Sequence, residues 1–195
     1  MPYLNQHLES KLPNPYKWLA YEYGPEWLIE ALDLYDVREV PGPESNDRIT
    51  GWAQELADSA SNLEWLTDVY TDDGVPWCGL FVAICVHRAG YVVFPKLLSA
   101  RAWANWGMES KTPELGDVLV FWRGSPDGWQ GHTAFYVGED ASAYHCLGGN
   151  QSDRVCITRI TKDRLITARR PVARPSGRVR RVFLDGVGDI SKNEA

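Results

Sequence analysis

Apolar residues recur at helical spacing in four stretches of the first half of the chain. Pro25 opens the first, with Leu28, Ala31, Leu32 and Tyr35 on one face, and the second runs from about Asp47 with Ile49, Trp52 and Leu56. A third starts at Pro76, with proline tolerated in the first turn, carries Phe81, Val82, Cys85, Val86 and Ala89, and stops at Gly90. Ser99 can cap a short fourth helix bearing Trp103 and Trp106. Between the first two helices, Val40-Pro41-Gly42-Pro43 must be a loop. After residue 110 the pattern changes to short runs of β-branched and aromatic residues near Val118–Trp122, Thr133–Val137, Ala143–Cys146, Val155–Ile160 and Ile166–Arg169. Helices first and strands second predict an α+β fold, with N-terminal helices packed on a C-terminal antiparallel sheet. Residues 1–24 read as a lead segment, 25–173 as the folded unit, and 174–195, rich in Gly, Arg and Asp, as a mobile or loosely docked tail.

Composition narrows the partners. A chain of 195 residues with 44% hydrophobic content can bury a single core. Its net charge of −6 lacks the basic footprint that nucleic acid requires, so a neutral or zwitterionic polymer is the expected substrate. No run of about 18 apolar residues predicts membrane insertion. Met1-Pro2-Tyr3-Leu4-Asn5-Gln6-His7 has neither a basic start nor an apolar run, so no signal peptide is expected. The four cysteines contain no Cys-x-x-Cys, which argues against structural zinc, and no cofactor is called for. Cys146 and Cys156 flank a glycine-rich connection and could face each other, but the expected lack of export favours reduced thiols.

The chemistry concentrates at two places. Cys78 lies in Pro76-Trp77-Cys78-Gly79-Leu80-Phe81-Val82, at the mouth of an apolar helix, where unpaired amides and the helix dipole favour a negative sulfur. His132 opens the alternating strand Gly131-His132-Thr133-Ala134-Phe135-Tyr136-Val137-Gly138. An isolated cysteine in a buried helix is ordinarily a small apolar residue, and an isolated strand histidine is ordinarily a local hydrogen-bonder. Together they supply a thiol nucleophile and its general base, with an imidazolium at His132 expected to hold Cys78 as a thiolate.

These segments, with Arg88-Ala89-Gly90, Gly116-Asp117-Val118-Leu119-Val120-Phe121, Glu39-Val40-Pro41-Gly42-Pro43-Glu44-Ser45-Asn46 and Leu147-Gly148-Gly149-Asn150-Gln151-Ser152, resemble the NlpC-like and CHAP cysteine peptidases and amidases of bacterial cell walls. Within that superfamily the phage and prophage branch is the nearest likeness. Many NlpC-like enzymes carry Asp-Cys-Ser-Gly at the nucleophile, where this chain has Trp77-Cys78-Gly79-Leu80. The resemblance implies a papain-like fold and hydrolysis of a peptidoglycan amide through an acyl-enzyme. An amide of the stem peptide is the expected bond, with the sugar–peptide amide or an inactive wall-binding or phage-particle module as alternatives. It also implies a polar group on the strand after the histidine strand to orient His132. His145, across a short turn, and Asn150, after Gly148-Gly149, compete for that role, and the hairpin spacing leans towards His145. Trp77 beside the nucleophile, and Trp122 and Trp129, which bracket the loop before His132, are candidate substrate-binding rings. The Glu39–Asn46 segment could wall the cleft. With no leader expected, delivery to the wall would depend on a holin, a phage particle or a secretion system.

Overall fold

The computed structural model describes residues 6–173, 175–186, 188–192 and 194. Its helical half comprises α1 (Gln6–Lys11), a 3-10 segment at Asn14–Tyr21, α2 (Glu26–Asp33), α3 (Asp47–Ser59), α4 (Leu66–Val69) and α5 (Cys78–Arg88). A further 3-10 turn at Ala100–Asn105 leads into β1 (Met108–Glu109), β2 (Val118–Trp122), β3 (Gly131–Glu139), β4 (Ala143–Gly148), β5 (Cys156–Thr161) and β6 (Leu165–Arg170). The strands form one antiparallel sheet in the order β1-β6-β2-β3-β4-β5, so the α+β reading holds. Among the strands the two-residue edge strand β1 escaped the sequence pattern, which is too short there to show alternation, and among the helical elements α1, the Asn14–Tyr21 segment and α4 did so too.

The local causes of the helices are mostly those expected. Asn46 caps α3 by accepting from the Arg48 amide at 2.9 Å, and Ile49, Trp52 and Leu56 are buried beneath it. Pro25 sits at the N-cap of α2 rather than inside it. Pro76 likewise precedes its helix: Trp77 is the cap and Cys78 the first helical residue. Ser99 takes the N-cap position of its 3-10 turn but makes no capping bond through its side chain.

Helix α5 is buried at every position from Cys78 to Val86, which is why its sequence is apolar all round instead of amphipathic. It packs between α2, α3 and β3, with Phe81 edge-on to Phe135 of β3 at 5.9 Å between ring centres. Each large side chain buried there contributes roughly 1.5–3 kcal/mol. Gly79 is required by the fit: a Cβ there would lie 2.1 Å from the Leu97 carbonyl oxygen, so the chain entering the 3-10 turn presses directly on the first turn of α5. Both elements that bound the cleft described below are thereby locked together.

The lead segment and the tail are joined to this body. Leu8, Leu12, Tyr16, Leu19 and Ala20 are buried in the core. Tail residues pair with the sheet through Glu139 N–H to the Val182 carbonyl and Leu184 N–H to the Glu139 carbonyl, each at 2.9 Å. Further along, Glu194 is buried and grips Arg164 through two hydrogen bonds of 2.8 and 2.7 Å. The described tail residues are therefore docked on this body, bringing Val182 to the core and complementing the buried Arg164. Among the described residues no helix is long and apolar enough to cross a membrane.

Candidate active site

Cys78 and His132 open on one cleft of about 360 Å³, bounded by the start of α5, the 98–100 segment, the 123–130 loop and Asn150. A larger hollow of about 510 Å³ along Gln54–Thr67 holds no cysteine or histidine. The Thr133 amide, next along β3 from His132, favours the charged form of the Cys78 sulfur, as do the amides of Gly79 and Cys78 itself. The sulfur thus lies against the backbone that carries the histidine, at the N-terminal turn where α5 leaves its amides unpaired.

The other side of the imidazole is held by Gln151. His132 Nε2 is 3.0 Å from Gln151 Oε1. The amide's orientation follows from its surroundings, because Gln151 Nε2 donates to the carbonyls of Cys146 at 3.3 Å and Cys156 at 2.5 Å, and Thr158 Oγ1 donates to Oε1 at 3.0 Å. A carbonyl oxygen can only accept, so His132 Nε2 carries the proton and Nδ1 is left as the bare lone pair that a general base needs. Gln151 is the residue the sequence reading missed. Its signals were faint: it follows Asn150 in the quoted segment, and its side chain offers the same carbonyl oxygen that was sought from Asn150.

Neither residue expected to orient the base bonds to it. His145 is fully buried, its Nδ1 accepting from Tyr16 Oη at 2.7 Å and its Nε2 donating to Asp140 Oδ2 at 2.9 Å, with Arg159 on the same carboxylate. Both of its nitrogens are consumed in tying the lead segment to the sheet. A β-bulge in β3 between Tyr136 and Gly138 shifts the β3–β4 register near it, which the hairpin count could not foresee. Asn150 does line the cleft, in the left-handed conformation at φ 53°, but it is the next residue that reaches the imidazole. Gly149 makes this bend possible, since a Cβ would fall 2.5 Å from the Trp77 ring and 2.6 Å from Phe81.

The three tryptophans separate. Trp77 is 0% exposed, packed on Trp52 with its N–H on Glu39 Oε1 at 2.6 Å, so it supports the nucleophile from within and cannot meet a substrate. Trp122 donates to the Asp163 carbonyl and lies under Arg164, away from the cleft. Trp129 lines the cleft and is 85% exposed. Its loop is clamped by Arg101, which donates to the carbonyls of Ser125, Pro126 and Gln130 at 2.8–2.9 Å. The Glu39–Asn46 segment packs behind Trp77 and on Asp73 rather than along the cleft, because Asp73 accepts from the Val40 and Asn46 amides. The cysteines are free, Cys146 and Cys156 included.

A cysteine at a helix start and a strand histidine thus meet at one cleft. Residues 70–150 match the CHAP domain family. No curated protein and no solved structure matches the chain. The CHAP segment contains Cys78, His132 and Asn150 and ends one residue short of Gln151. A CHAP domain implies peptidoglycan hydrolysis of the amidase or peptidase kind in general terms.

Electrostatics at the cleft correct one expectation. Burial pushes the Cys78 thiol up, against the pull of the Thr133, Gly79 and Cys78 amides. Burial also lowers His132 to about 4, only partly offset by Glu194 and Gln151. The two directions agree on a neutral thiol beside a neutral imidazole, in place of the thiolate–imidazolium pair suggested by the helix dipole alone, because desolvation penalises both charges. A pH consequence follows. The base works only when His132 is unprotonated, so kcat/KM should stay level as pH falls through 6.5 and drop only as pH approaches about 4. A pH–rate profile with its acidic limb near 6.5 would show that His132 titrates like an ordinary solvated histidine and that this account of its burial is wrong.

Proposed function

We propose that this protein is a peptidoglycan hydrolase that cleaves an amide bond of the stem peptide through a thioester acyl-enzyme. The observation that carries the reading is the shared cleft of Cys78 and His132, with the imidazole's far nitrogen fixed by Gln151. In the acylation step, His132 Nδ1 takes the Cys78 proton as the sulfur adds to the substrate carbonyl. The first-turn amides of α5 face the developing oxyanion, and the amine leaves with the proton from His132. Water then attacks the thioester, His132 takes its proton, and the C–S bond breaks to release a carboxylate and restore the thiol. Trp129 at the rim offers an apolar face to the substrate.

Digestion of purified sacculi tests the reaction. New free amines should appear without a matching rise in reducing sugar ends, because glycosidic cleavage ordinarily takes two carboxylates flanking the bond. Mass analysis of the fragments should place the cut inside the stem. Reducing ends as the main product would overturn the assignment, and intact stems released from the sugar would move the cut to the sugar–peptide amide.

A further inference from the structure

Three residues around Gln151 take the left-handed backbone conformation: Asn150 at φ 53°, Ser152 at φ 54° and Asp153 at φ 58°. None is a glycine, so each holds a sparsely populated shape that its surroundings must enforce. Two contacts from distant parts of the chain do so. The Glu39 amide donates to the Asp153 carbonyl at 2.9 Å, and the Ser152 amide donates to the Glu194 carbonyl at 3.3 Å. The tail therefore touches the residue that directly follows the one bonded to His132.

Glu194 is itself anchored by Arg164, in the 3-10 turn Lys162–Arg164 between β5 and β6, through hydrogen bonds of 2.8 and 2.7 Å. Arg164 Nε donates to the Trp122 carbonyl at 3.1 Å, and Trp122 pairs with Gly131, the residue before His132. One buried ion pair thus links the backbone on both sides of the contact between His132 and Gln151. Its charges act there too: after burial, the larger influence, Glu194 favours and Arg164 opposes an imidazolium at His132. Beyond burial, the same two charges act on Cys146, whose carbonyl accepts from Gln151. A buried ion pair stabilises a fold little better than apolar packing would, because desolvation offsets the attraction, so its placement beside the base is informative. Resting on the hydrolase reading above, we infer that Glu194 is a positioning residue that, through Ser152 and Arg164, keeps Gln151 seated on His132. The tail is then a working part of the active site.

Release of free amines from purified sacculi, measured for single and double variants, tests the assignment. Glu194→Gln keeps the size of the side chain and removes its charge. It should lower kcat about tenfold with KM within about twofold of wild type, since the base is displaced while substrate binding is not. In a Gln151→Ala background the same change should cost less than about twofold, because the side chain being positioned is already gone. If thermal melting shows that Glu194→Gln does not fold, Arg164→Lys takes its place in both backgrounds, keeping the charge and giving up the paired bonds, with the same pattern expected. Equal losses in the two backgrounds, a change in KM alone, or wild-type kcat in a folded variant would defeat this inference and leave the ion pair a structural tie. A wild-type protein that releases no amines defeats the hydrolase reading instead, and this inference falls with it.

Discussion

Replacing Cys78 by serine or alanine should lower amide hydrolysis by about 10⁴-fold or more, with the fold retained. Cys78 sits at the first residue of α5, where it makes no cap and contributes little beyond a small buried surface, so the loss would be chemical. Serine keeps the shape, but a neutral imidazole that can accept a thiol proton is a much weaker match for an alcohol. The same thiol should be the first of the four to be alkylated by iodoacetamide. Cys78 lines the cleft, whereas Cys85 and Cys146 are wholly buried and held well above the usual thiol range by burial. His132→Ala should abolish turnover and slow this alkylation, because the base that assists deprotonation is gone. Peptide mapping of the alkylated protein decides the matter. First labelling at Cys146 or Cys156, or wild-type turnover in Cys78→Ala, would remove the thiol mechanism and favour a wall-binding role.

The second large effect belongs to Gln151. Truncation to alanine should cost about a hundredfold in kcat, since His132 loses both its tautomer lock and its ring orientation. Gln151→Glu is the sharper probe. A carboxylate beside Nε2 would stabilise the imidazolium, so the acidic limb of the rate profile should move up from about 4 towards neutrality while turnover at neutral pH partly survives. A purely structural glutamine would leave that limb where it is. His145→Ala should behave in the opposite manner, keeping kcat within a few-fold but destabilising the protein by roughly 2–4 kcal/mol, because Tyr16 Oη and Asp140 would be left without their buried partner. If His145→Ala loses more turnover than Gln151→Ala, the roles assigned to these two side chains are reversed.

Much of the active-site framework was legible because its signals are local. The apolar run after Cys78, bounded by Pro76 and Gly90, has the length and punctuation of a helix, and the β-rich run after His132 needs only a pairing partner to become a strand. The pairing of a cysteine at one start with a histidine at the other is therefore written in the order of residues. Trp77 shows where that logic ends. Its neighbour is the nucleophile, which suggested a substrate wall, yet the packing of α3 places Trp52 against its ring and turns it into the core.

The third side chain was decided by tertiary structure alone. Counting along β4 assumes that alternation continues, but the strand ends at Gly148, and the course of the next residues is set by how closely Gly149 approaches Trp77 and Phe81 on another element. Gln151 then reaches His132 because the carbonyls of Cys146 and Cys156, on two different strands, take both hydrogens of its amide. The protonation state was equally beyond sequence reasoning. A helix N-terminus argues for a thiolate, but how much water remains around Cys78 and His132 depends on the whole packed interior, and there the cost of desolvation outweighs the dipole. Residue order thus determined which groups could react, while long-range packing determined which side chain holds the base and how both groups are charged.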